Sequence, residues 1–193
     1  MISRLKIVTT AALLVATVAA SAAALSGLVG NPLADADAGS ASSRINHSTV
    51  APEFTGIDKW LNSDPLTMQQ LRGKVVLVDF WTYTCINCLH VLPYVKSWDQ
   101  KYRDQGLAVV GVHTPEYPFE RSTTNVSSAI KRLGITFPVA QDNRYATWSA
   151  YDNQYWPAFY LVDKKGHVAY THFGEGDYEQ TEAKIKALLA ETP

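Results

Sequence analysis

The chain has 193 residues, 47% of them apolar and 11% aromatic, with ten tyrosines and five tryptophans. That length suits one domain with an appendage and is short for two, since domains commonly hold roughly 100 to 200 residues. Seventeen Lys and Arg against eighteen Asp and Glu leave a formal charge of −1, which excludes the basic footprint of a nucleic-acid binder and any bulk attraction to an anionic membrane surface.

In chain order, the first element places Arg4 and Lys6 ahead of a largely apolar run from Ile7 to Leu25. This is the order of an export signal. Small residues permit an A-x-A cleavage around Ala20, Ala22 and Ala24 or around Ala36 and Ala38. The alternative is an uncleaved anchor, because about 19 apolar residues just span a bilayer. No cysteine lies near this segment to carry a lipid. Residues 1–30 are therefore expected to be a signal peptide or membrane anchor, and the remainder to face a periplasmic or other extracytoplasmic compartment. Residues 31–50 turn to Ala, Ser, Asp and Gly without apolar periodicity, as a linker does.

Residues 51–193 alternate strand-like and helix-like segments, which predicts an α/β domain around a central sheet. Lys74 to Trp81 is a continuous β-branched and aromatic run, the pattern of a strand buried on both faces. From Cys85 to about Tyr102, Leu89, Leu92, Val95 and Trp98 mark one apolar helical face, with Pro93 inside it as an expected kink. Leu107 to His113 is a second buried strand. The stretch "STTNVSSAIKRLG" reads as a helix with a Ser or Thr cap and a Gly stop. "AFYLVD", "KKG" and "HVAYTHF" predict an antiparallel hairpin, and a last amphipathic helix covers about Tyr178 to Leu189.

Cys85 and Cys88 are the chain's two cysteines. As a structural staple they close too short a loop to restrict the unfolded chain much. Zinc needs four ligands, and His90, His113, His167 and His172 form no matching pair. Haem attachment needs His directly after the second cysteine, where Leu89 stands. A C-x-x-C at a strand-to-helix junction is suited to dithiol chemistry. Unpaired N–H groups and the positive end of the helix dipole stabilise a thiolate at Cys85. Cys85 then attacks a partner disulfide and Cys88 resolves the mixed disulfide.

The stretch resembles the thioredoxin superfamily, and in detail its exported TlpA/ResA/DsbE-like branch and the redoxin domain of DipZ-type membrane proteins. Asp79, six residues before Cys85, matches the buried acid that moves the resolving thiol's proton. Trp81 matches the tryptophan flanking the active site, Pro93 the helix proline, Trp156-Pro157 the residue and cis-proline facing the sulfurs, and Gly174 the late glycine. "LRGKVVLVDFW" resembles the branch's entry strand, and Glu116 in "VGVHTPE" falls where the branch carries an acid. The resemblance implies a thioredoxin-like fold and a thiol-disulfide oxidoreductase with Cys85, Cys88, Asp79 and Glu116 as catalytic residues. It implies no cofactor and no metal.

A cis X-Pro bond leaves the preceding backbone free to pair with an extended substrate segment. Trp81, Tyr83, Trp156 and Pro157 are accordingly the expected substrate-binding residues. The expected partners are cysteine-containing proteins, apocytochrome c among them, and a membrane electron donor of the DsbD or CcdA kind, with the domain acting as a monomer. Ile86-Asn87 between the cysteines and Thr84 before them depart from the family's usual residues and leave the direction of electron flow open. Two rival readings remain at this stage. Thr82, three residues before Cys85, fits the T-x-x-C of a thiol peroxidase, although Val78 stands where that motif has proline. The same cysteines with a histidine also suit a copper-handling chaperone.

Overall fold

The structure, a computed structural model, describes residues 49–192. The expected signal or anchor and nearly all of the expected linker lie outside these residues. Among the described residues no helix is long and apolar enough to cross a membrane.

Six strands form a mixed sheet in the order β1-β4-β3-β2-β5-β6. They are β1 (Lys59–Leu61), β2 (Val75–Trp81), β3 (Leu107–His113), β4 (Val139–Gln141), β5 (Ala158–Val162) and β6 (Val168–Phe173). β2 and β3 run parallel, as do β3 and β4, whereas β5 is antiparallel to β2, β6 to β5 and β1 to β4. Among the described residues α1 (Ile86–Tyr102), α2 (Thr123–Leu133) and α3 (Ala146–Ala150) lie between strands, and α4 (Tyr178–Ala190) follows β6.

All seven residues of β2 are buried, as the unbroken apolar run predicts for the centre of a covered sheet. Side chains alternate between faces. Val75, Leu77 and Trp81 enter the core that holds Cys88, Val91, Val95 and Trp98 of α1 and Ile185 of α4. Val76, Val78 and Phe80 enter the opposite core with Met68, Leu71 and Tyr151. The same alternation puts Asp79, between Leu77 and Trp81, on the α1 side with Cys88.

The helix signals in the sequence correspond to real ends. Ser122 caps α2 by accepting from the Asn125 N–H at 3.4 Å, and Gly134 closes it in the left-handed region at φ 62°. α1 continues through Pro93, which supplies no N–H to the Leu89 carbonyl one turn back. Thr49 and Val50, placed in the expected linker, already belong to the domain. Val50 bridges His167, and Val168 N–H donates to the Thr49 carbonyl at 3.0 Å.

Candidate active site

Cys85 and Cys88 form a disulfide at the start of α1. Cys85 is the N-cap, and its sulfur accepts from the Cys88 N–H at 3.2 Å. A cap position has extended backbone with its side chain turned toward the first free N–H groups of the helix. The strand-to-helix junction therefore points the Cys85 sulfur at the positive end of the dipole. Cys85 is half-buried beside the exposed Ile86 and Asn87, whereas Cys88 is 3% exposed and packed in the core. One sulfur can meet a partner and the other waits beneath it.

Asp79 is 2% exposed, and its Oδ1 has no hydrogen-bond partner. Burial disfavours the charged form and pushes the carboxyl up to about 7. An acid with that affinity for protons, on the Cys88 side of β2, suits proton exchange near neutral pH.

The Trp156-Pro157 peptide bond is cis. Trp156 is partly buried, donates its indole N–H to the Thr114 carbonyl at 3.1 Å, and packs on Trp148 with ring centroids 4.1 Å apart. Among the described residues its backbone N–H and C=O make no hydrogen bond. Pro157 is tied to the end of the hairpin, where Gly174 N–H donates to its carbonyl at 2.9 Å. Tyr83 lies over His113 with rings 5.6 Å apart and 16° from parallel, and its hydroxyl donates to the Phe119 carbonyl at 3.3 Å.

Trp81 is 3% exposed and packs in the core, in edge contact with His113 at 5.3 Å. Its position at the end of β2 points it inward on the α1 face.

Glu116 does not bring its carboxylate to the cluster. Its side chain is exposed, and only its backbone N–H takes part, donating to Glu120 Oε2 at 2.7 Å. The buried carboxylate is that of Glu120, in a 3-10 turn spanning Pro118–Arg121. Glu120 also accepts from Tyr117 N–H at 3.0 Å and Thr84 Oγ1 at 2.5 Å. The signal for it is local: an acid three residues after Tyr117 with Pro118 opening the turn has the spacing of a capping box. His113, fully buried, lies 3.2 Å from Thr82 Oγ1 through Nε2, and burial pushes its ring down to about 4. Among the described residues no group of three or more metal-ligating side chains converges.

The Redoxin family profile matches residues 46–189. Protein DipZ of Mycobacterium bovis is 53% identical over 143 residues, which are 72% of this chain but 21% of DipZ. The chain thus spans about a fifth of that relative's length. Thiol-disulfide oxidoreductase YkuV of Bacillus subtilis is 34% identical over 142 residues, covering 73% of this chain and 95% of YkuV. Among solved structures, a putative thiol:disulfide interchange protein DsbE from Chlorobium tepidum superposes with a TM-score of 0.65 at 26% identity, covering 76% of this chain and 99% of that one. With the cysteine pair at the head of α1 and this kinship, the chain belongs to the redoxin family, in the thioredoxin superfamily's TlpA/ResA/DsbE-like branch.

Proposed function

We propose that this protein is a thiol-disulfide oxidoreductase that works outside the cytoplasm as a reductant of disulfides in other proteins. The observation that carries the reading is the asymmetry of the pair: Cys85 is accessible at a helix N-terminus and Cys88 is buried behind it. In the reduced enzyme the Cys85 thiolate attacks one sulfur of a partner disulfide, forming a mixed disulfide and releasing the partner's other sulfur as a thiolate that takes a proton from water. Asp79 then accepts the Cys88 proton. The Cys88 thiolate attacks Cys85 Sγ, releases the second partner thiolate, and leaves the intramolecular disulfide.

Trp156, held by the cis bond to Pro157, offers a free backbone N–H and C=O for an extended partner segment, with Tyr83 nearby on the Phe119 side. The charged-then-apolar N-terminus and the DsbE and ResA relatives support an exported or anchored location. Regeneration requires a dithiol donor, for which a membrane protein of the DsbD or CcdA kind fits, and apocytochrome c is one fitting substrate. Thr82, fully buried with its hydroxyl 3.2 Å from His113 Nε2, lends the peroxidase alternative no support.

The test is Cys88→Ser expressed in the native host, with capture of proteins held on Cys85. A discrete set of exported cysteine proteins is expected, together with loss of insulin-disulfide reduction by Cys85→Ser. Insulin reduction undiminished in Cys85→Ser would overturn the reading. An empty capture combined with tight Cu(I) binding by the wild type would move it to copper handling.

A further inference from the structure

Glu120 is a fully buried carboxylate to which dithiol exchange gives no task. Its Oε1 accepts from Thr84 Oγ1 at 2.5 Å, and Oε2 accepts from the backbone N–H groups of Glu116 at 2.7 Å and Tyr117 at 3.0 Å. Burial alone would raise this carboxyl, but the hydrogen bonds it accepts outweigh burial and hold it below its ordinary range. Among the described residues no cation forms an ion pair with it. Dipoles therefore satisfy the charge without neutralising it, and its field still reaches neighbouring groups.

The neighbouring histidine does not cancel the charge. His113 is buried with Nε2 3.2 Å from Thr82 Oγ1 and Nδ1 unpartnered, and burial keeps the ring neutral. Tyr83 stacks on this ring.

We propose that Glu120 is a positioning residue of the dithiol site: it ties Thr84 to the turn at Glu116 and Tyr117 and holds an unneutralised negative charge against the residue that precedes Cys85. The role in catalysis rests on Cys85 being the attacking thiol. The helix N-terminus favours the Cys85 thiolate and Glu120 opposes it, so the carboxylate makes Cys85 less acidic and the dithiol more reducing. Other titratable groups around it are the Tyr83 and Tyr145 phenols, with Arg132 of α2 acting on the first and Arg121 and Glu116 on the second. On α1, His90 lies one turn beyond Cys85 and is paired with Glu175 at 3.1 Å.

The experiment compares the full-length chain with Glu120→Gln. In a Cys88→Ser background the Cys85 alkylation rate by iodoacetamide is followed against pH. With both cysteines present the reduction potential is read by equilibration with glutathione. The expected result for Glu120→Gln is a midpoint shifted to lower pH, with alkylation below the midpoint faster by roughly three- to tenfold, and a more oxidising pair. An unchanged midpoint and potential in a folded Gln variant would overturn the proposal. Insulin reduction by Cys85→Ser tests the attacking thiol separately, so each idea can fail alone.

Discussion

Asp79 shows what one buried side chain costs and supplies. Its carboxyl titrates at 3.8 in the unfolded reference and at about 7 in the fold, because burial penalises the charge. The folded chain keeps a proton that the unfolded chain has released, so stability falls as pH rises through that window. A gap of that size corresponds to at most about 4 kcal/mol. Asp79→Asn is expected to match the wild type below the window and to exceed it by about 2 to 4 kcal/mol above pH 7. It should also slow release of the mixed disulfide. Urea midpoints of both proteins at pH 3 and pH 8.5 check the first point, and parallel behaviour at both values would refute it. Asp79 was legible because an acid inside "VVLVDFW" has to be buried. The choice between Glu116 and Glu120 was not, since both lie in one Pro-rich loop, and only the turn at Pro118–Arg121 decides which carboxylate goes inward.

At the scale of elements, strong periodicity made β2, β3, the β5-β6 hairpin, α1, α2 and α4 readable nearly to the residue. β1, β4 and α3 hold three, three and five residues, too few for any period to show, and their formation depends on neighbours. Asn62 illustrates this: at φ 64° its Nδ2 donates to the Ile135 and Phe137 carbonyls, each at 3.0 Å, tying the end of β1 beside β4. The head of α1 offers a prediction free of redox chemistry. With the disulfide reduced, Cys85→Ser keeps a cap acceptor and should stay within about 0.5 kcal/mol of reduced wild type, whereas Cys85→Ala should lose about 1 kcal/mol. Thermal melts under reductant distinguish them. In β3, a methyl added to Gly111 would lie 2.9 Å from Trp81 Nε1 and 3.1 Å from Phe137 Cε2. Gly111→Ala should therefore cost about 1 to 3 kcal/mol by overpacking and perturb the Trp81 fluorescence. Unaltered stability would mean that the Trp81 ring does not lie over β3 as described.

For the whole molecule, the balanced charge and the exposed apolar residues near the dithiol set how partners are met. Ile86 is 60% exposed and Phe119 54%, with Tyr155 and Phe173 in contact at 5.3 Å beyond Trp156. Exchange rates with an unfolded disulfide substrate should therefore depend little on ionic strength, since steering by net charge is weak. Stopped-flow rates at low and high salt test this, and a steep fall with salt would refute it. The Val50 bridge to His167 has a consequence for how the molecule is carried. β6 runs parallel to β2, and its first residues lie level with the start of β2, while Cys85 follows the other end, across a strand about 20 Å long. The backbone entering at Thr49 and the reactive sulfur thus occupy opposite poles, like the handle and tip of a tool. Cargo joined ahead of Thr49, whether a fluorophore, a bead or another protein, loads the handle and leaves the tip free to touch a partner.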